Sequence, residues 1–181
     1  LLYGENELIW KNNQGFCPLT VHDYIGYTGL AFNFVWSIGC PYECSYCGNT
    51  VMIENDKNYR KIRHPSVNYL IGQVKDVITR HPHISTIVFH DDSFMAIPRR
   101  TILEFADQWK REVDLPFSVY GVIPSFVREE KFDILVGAGM NRVRMGIQSG
   151  SDKILEFYKR PNKPGLIHSA ATIISKFKEH M

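Results

Sequence analysis

No apolar run in this sequence approaches the ~20 residues that a membrane-spanning helix needs. A basic run is missing too. The 21 Lys and Arg are balanced by 19 Asp and Glu for a net charge of +2, which leaves no electrostatic footprint for nucleic acid. The N-terminus lacks a basic region followed by an apolar block, so no secretory leader is read there. Because the chain opens at Leu1 rather than Met, its true start is expected to have been removed or unrecorded. Cysteine is scarce: 4 in 181 residues cannot form the disulfide framework of a secreted domain, and a reducing cytoplasm is the expected location. Apolar residues make up 44% and charged residues 22%, enough for one soluble domain with a real core.

Three of those cysteines lie together in Cys40-Pro41-Tyr42-Glu43-Cys44-Ser45-Tyr46-Cys47, spaced C-x₃-C-x₂-C. Thiolates are preferred ligands of soft metals and iron–sulfur clusters, and gaps this short let one loop turn all three onto one centre. A structural zinc site closes with four ligands, whereas this loop supplies three. A cluster with one iron left open fits that count better. Zinc held by the three cysteines together with His64, His90 or Cys17, in a non-catalytic module, is the competing reading. Cys17 stands apart and reads as an ordinary buried or free thiol.

Residues 1–30 hold scattered aromatics and no sustained period, and are read as a linker or wrapping segment ahead of a core domain over 31–181. From Ala31 the pattern becomes regular. Ala31–Ile38 is a β-rich apolar run ending at Gly39, and Ile84–Phe89, Phe117–Ile123 and Arg142–Ile147 are three further strands. Between them, Ser66 caps a helix with Val67, Leu70, Ile71, Val74, Val77 and Ile78 on one face, ended by Pro82. A second helix spans about 100–113 with Ile102, Ala106, Trp109 and Val113 in its stripe. A third covers 127–136 and ends at Gly137 and Gly139, and helices fill the C-terminal remainder. The stretch from the cysteines to Pro65 reads as polar loop. A βαβαβαβα order implies parallel strands with right-handed crossovers, and such folds place ligands at strand C-termini.

Every chemically suggestive group follows a strand: Cys40 the first, Asp91 and Asp92 the second, Gln148 and Ser149 the fourth. Asp91-Asp92 is either a capping pair or part of a site. In Arg142–Gln148 alternation puts Val143, Met145 and Ile147 on one face, with Arg142, Arg144, Gly146 and Gln148 on the other. In a barrel the second face lines the lumen, where the arginines need anionic partners; an edge strand with a wet face is the alternative.

The cysteine spacing after a first strand, with Tyr46 before the last cysteine, resembles the radical S-adenosylmethionine (radical SAM) superfamily. Phe89-His90-Asp91-Asp92-Ser93-Phe94 and Gly146-Ile147-Gln148-Ser149-Gly150-Ser151 followed by Ile154-Leu155 resemble segments of the subgroup often fused to a cobalamin-binding domain. The resemblance covers about 31–160. It implies an α/β fold, a partial (β/α) barrel of radical SAM type with about four of six units present, truncated at both ends. It implies an enzyme in which Cys40, Cys44 and Cys47 hold a 4Fe–4S cluster that reductively cleaves SAM to a 5′-deoxyadenosyl radical, or supports cobalamin-dependent methyl transfer. Tyr46, Asp91, Asp92, Gln148, Ser149 and Arg160 are the implied SAM contacts, Arg160 toward the carboxylate, with a surface charge as its alternative. The Gly-Gly-Glu motif that often meets the SAM ammonium is missing. So is an Asp-x-His-x-x-Gly segment, so cobalamin would come through a domain absent from this chain. Expected partners are a small-molecule or metabolite substrate and an external flavodoxin- or ferredoxin-like electron donor.

Overall fold

The computed structural model describes residues 9–12, 15–18, 30–160 and 165–181. The opening segment, expected to carry no marked strand, contains a hairpin of β1 (Ile9–Asn12) and β2 (Gly15–Pro18), paired antiparallel with Trp10 opposite Cys17. Two four-residue strands are too short for a period of two to show in sequence. The Cys17 side chain and most of the 1–30 segment lie outside the described residues.

The domain is organised around four parallel strands in the order β3 (Ala31–Phe34), β4 (Thr86–Phe89), β5 (Phe117–Val122) and β6 (Met140–Met145). This is the expected α/β arrangement, with the sheet left open between β3 and β6. Helices α2 (Val67–Arg80), α3 (Arg99–Glu112) and α4 (Glu129–Gly137) form the crossovers. The Ser66 side chain accepts from the Tyr69 N–H at 3.2 Å, the cap expected from sequence. Beyond β6 lie α5 (Asp152–Phe157) and α6 (Leu166–Ser175). The stretch expected to be polar loop instead contains α1 (Gly48–Asn55) and a 3₁₀ turn over Lys57–Arg60. Helix α1 buries only Ile53 and has no apolar stripe, so periodicity could not reveal it.

One face of the sheet is the core. Phe89 and Phe117 meet edge to face at 5.8 Å, and Phe105 of α3 lies 5.1 Å from both Trp36 and Trp109. All of these rings are buried, each stabilising the fold by roughly 1.5–3 kcal/mol. Val143 and Met145 pack against this core as alternation required. Ile147, expected on the same face, is 43% exposed because β6 ends at Met145, two residues earlier than predicted. Arg142 and Arg144 project from the opposite, concave face. No helix among the described residues is long and apolar enough to cross a membrane.

Candidate functional site

Beyond Phe34 the first sheet strand loses its parallel partner, and the chain swings over the sheet's C-terminal edge. Ile38 makes an antiparallel bridge to Arg63, and the Cys40 N–H donates to the Tyr59 carbonyl at 3.0 Å. Gly39 between them has φ +106, and a Cβ there would run into the Tyr59 and Lys61 carbonyls. Further on, the Cys47 N–H and the Thr50 hydroxyl both donate to the Cys44 carbonyl, at 3.0 and 2.8 Å. The Ser45 N–H donates to the Tyr158 carbonyl at 3.0 Å, tying the loop to the end of α5. Local turns and two outside anchors thus fix the loop. All three thiols are free and line one cavity of about 260 Å³. Burial is the main influence pushing the Cys40 thiol above its ordinary pKa.

Asp91 and Asp92 brace this loop. Asp91 is buried, and its carboxylate accepts from the Trp36 N–H at 3.0 Å, the Ser37 N–H at 2.7 Å and the Ser37 hydroxyl. Asp92 lines the cavity and accepts from the Gly39 N–H at 3.0 Å, the Tyr59 hydroxyl at 2.8 Å and the Asn49 amide at 3.0 Å. The pair therefore holds both sides of the turn into Cys40. Tyr59 and Asn49, which sequence reasoning did not single out, complete the brace. Burial, reinforced by the bond to Asp92, pushes the Tyr59 hydroxyl up to about 12, so it stays a donor.

For Asp91 burial outweighs the three donors and raises its pKa from 3.8 to about 6. The folded value lies above the unfolded one, so the native state binds the proton more tightly. The resulting stability is present below 3.8 and is lost as pH rises through about 6. The size is roughly 3 kcal/mol at ~1.4 kcal/mol per pKa unit. Chemical denaturation of the parent and of Asp91→Asn, which cannot titrate, should show this difference: the parent loses stability relative to the variant across that window. Parallel pH profiles would show that Asp91 does not titrate there.

On the far rim, β6 delivers Arg144, Gly146 and Gln148 to the same cavity. A Cβ on Gly146 would sit 2.6 Å from the Gln148 side-chain nitrogen, so the strand end passes close beneath it. Gln148 adopts φ +69, and its side chain folds back over Gly146. Ser149 turns away; its hydroxyl accepts from the Ser151 N–H at 3.1 Å, at the start of α5. Arg160 reaches in from beyond α5, with one terminal nitrogen on the Gly146 carbonyl at 3.0 Å and the other 3.7 Å from the Cys44 sulfur. Its Nε is buried with no hydrogen-bond partner among the described residues. Tyr46 lines the opening with its ring edge-on to Tyr158 at 5.0 Å. Five of the six non-cysteine residues singled out from sequence thus surround or brace the cavity, and Ser149 stands at its edge.

The donor set fits an iron–sulfur cluster better than a lone ion. Among the described residues no three His, Cys, Asp or Glu converge closely enough to hold a single metal ion. A cubane needs no such convergence, because it offers each thiolate a separate iron. His64 lies tilted against Trp36 at 5.3 Å and His90 bonds to Asn33, and neither lines the cavity, so neither completes a zinc tetrahedron. Arg160, whose Nε is buried without a partner among the described residues, and the Gln148 amide folded over Gly146 place donors for a carboxylate-bearing ligand beside the cysteines.

Comparison with known proteins agrees with this geometry. A curated relative, an uncharacterized methyltransferase of Pyrococcus horikoshii, is 27% identical over 154 residues, which are 84% of this chain and 32% of the relative. The cobalamin-dependent S-adenosylmethionine radical enzyme OxsB superposes with a TM-score of 0.70 at 20% identity, over 94% of this chain and 28% of its own. The radical S-adenosylmethionine methyltransferase TsrM from Kitasatospora setae gives 0.68 at 16% identity, over 89% and 31%. The chain thus spans about a third of the length of these proteins. Residues 34–180 match the profile of the radical SAM superfamily, and the chain belongs to that superfamily.

Proposed function

We propose that this chain is the cofactor-binding part of a radical SAM enzyme that modifies a small-molecule substrate. Cys40, Cys44 and Cys47 would hold a 4Fe–4S cluster, and the same cavity, reached by Arg160, Gln148 and Tyr46, would take SAM. When bound, the pair supplies one-electron cleavage of the SAM sulfonium, the source of reactive carbon for the substrate. The observation that carries this reading is the meeting of three free thiols with Gly146, Gln148 and Arg160 around one cavity. Arg160 orients the SAM carboxylate, Gln148 the groups beside it, and the Tyr46 ring covers the mouth. Asp92, its oxygens already engaged by three donors, keeps the loop in register. OxsB and TsrM are cobalamin proteins, and methyl transfer or rearrangement assisted by cobalamin bound outside these residues suits that kinship. The electron comes from an external flavodoxin- or ferredoxin-like protein.

Anaerobically reconstituted protein should carry iron and sulfide, and SAM should alter the electron paramagnetic resonance signal of the reduced cluster. Arg160→Gln should keep its iron yet bind SAM about tenfold or more weakly, as expected for losing one charged hydrogen bond of ~1.5–3 kcal/mol. A signal indifferent to SAM in the parent would overturn the reading. Equal SAM affinities would remove Arg160 from it.

A further inference from the structure

The face of the sheet opposite the core carries a second polar pattern, joined to the lining of the cysteine cavity by the contact of Arg144 with Tyr120. A cavity of about 460 Å³ opens against this face, lined in part by Asn33, Val88, His90, Ser118, Tyr120 and Arg142. Those residues come from all four strands or their ends, and no Asp or Glu lines the cavity among the described residues. Arg142 and Arg144, two apart on β6 and therefore ~7 Å from one another, share the face. Neither pairs with a carboxylate among the described residues; the ion pairs of the molecule involve other arginines and lysines.

What the face does have is a row of contacts running across the strands. The Arg144 guanidinium lies 4.2 Å above the Tyr120 ring. Tyr120 meets His90 edge to face at 4.8 Å, and the His90 Nε2 is 2.8 Å from the Asn33 side-chain oxygen. Burial, then the Arg144 charge, lowers the His90 pKa, so this row disfavours the charged ring. Arg144 is engaged by an aromatic face and also lines the cysteine cavity. Arg142 is left as the free fork in the second cavity.

We propose that this face binds a small-molecule carboxylate, its anion held by Arg142 and its apolar body laid along Val88 and Tyr120 toward Arg144 and the cysteines. This rests on the reading of the cysteine cavity as the cofactor site and names the substrate class for it. Charge complementarity selects an anion. A carboxylate suits the site better than a phosphate, because Arg142 is the one Lys or Arg lining the cavity among the described residues, and a single guanidinium fork matches the charge and two oxygens of a carboxylate. The Arg142 guanidinium, with Ser118 opposite it on the neighbouring strand and no acid among the described residues of the cavity lining, matches one carboxylate fork. The row then sets direction: with the anion at Arg142, the far end of the ligand lies one or two strand residues higher, beside the cofactor cavity.

The test is titration of the full chain with 3-phenylpropanoate, 3-phenylpropanamide and inorganic phosphate, read by nuclear magnetic resonance shifts. The carboxylate should bind at least tenfold more tightly than the amide and more tightly than phosphate. Arg142→Gln should weaken it at least tenfold, whereas Arg100→Gln on α3, with the same change in net charge, should leave it unchanged. Equal binding of acid and amide, no loss in Arg142→Gln, or an equal loss in Arg100→Gln overturns the proposal. Preference for phosphate would replace the carboxylate with a phosphorylated ligand and overturn the assignment as stated. Iron loading and SAM affinity, measured on the same Arg142→Gln protein, should match the parent. The titration needs no cluster, so failure to load iron would count against the cofactor reading alone.

Discussion

Alanine at Cys40, Cys44 or Cys47 is expected to reduce iron–sulfur loading from stoichiometric to background, while Cys17→Ala leaves it intact. Three thiolates are the least that can hold a cubane with one iron free for SAM, so each loss leaves a site that cannot retain it. The fold should survive the change. The loop is fixed by backbone bonds, Cys40 N–H to Tyr59, Cys47 N–H to the Cys44 carbonyl and Ser45 N–H to Tyr158, and alanine keeps every one. Loss of the buried Cys40 or Cys44 sulfur should cost about 1 kcal/mol, and loss of the half-buried Cys47 sulfur less. Circular dichroism would therefore report a folded protein that holds no iron. Iron and sulfide would be assayed after anaerobic reconstitution, with zinc measured in parallel. Full loading in any of the three variants would overturn the ligand assignment. Stoichiometric zinc without iron in the parent would favour a structural module.

What could be read from the sequence had a local signature. Helices α2 and α3 announced themselves through one-sided apolar stripes, and Ser66 marked where the first begins. The order of elements required parallel strands. It also required that groups after successive strands share one end of the sheet, which brought Cys40, Asp92 and Gln148 into one cavity across about a hundred residues of chain. Alternation along β6 put Arg142 and Arg144 opposite the core. These inferences need only period, punctuation and topology.

The parts that escaped depend on distant partners. Asp91 was legible as a strand-end acid. Its hold on Trp36 and Ser37 was not, because nothing local tells a buried brace from a ligand. Tyr59 and Asn49 lie in the segment read as polar loop, and the value of their side chains comes from Asp92, more than thirty residues away. Arg160 looked equally like a surface charge until its position over the Gly146 carbonyl and beside Cys44 was known. Gly121, in the middle of an apolar strand, gave no signal at all.

Gly121→Ala should be among the most damaging single substitutions in the domain. Gly121 has φ +68, a conformation that costs an L-residue ~1–2 kcal/mol. A methyl there would also overlap the Asp91 carbonyl oxygen and lie 3.1 Å from Asp92 backbone atoms, so the next chain must move. The two strands approach this closely where the β5–β6 register slips, between Val119 and Val122. Displacing Asp91 disturbs the carboxylate that holds Trp36 and Ser37, and displacing Asp92 loosens its grip on Gly39 and the cysteine loop. A total of about 3 kcal/mol is expected, which at ~2–4 °C per kcal/mol lowers the melting temperature by about 6–12 °C. Gly72 in the middle of α2 is the control: a Cβ there meets nothing within 4 Å, and alanine should stabilise by up to ~1 kcal/mol. Thermal melts of both variants, with iron loading measured well below their midpoints, separate the effects. Gly121→Ala should lose both stability and iron, and Gly72→Ala neither. A Gly121→Ala midpoint within about 2 °C of the parent would mean that the strands part at little cost and that Asp91 is not held by this contact.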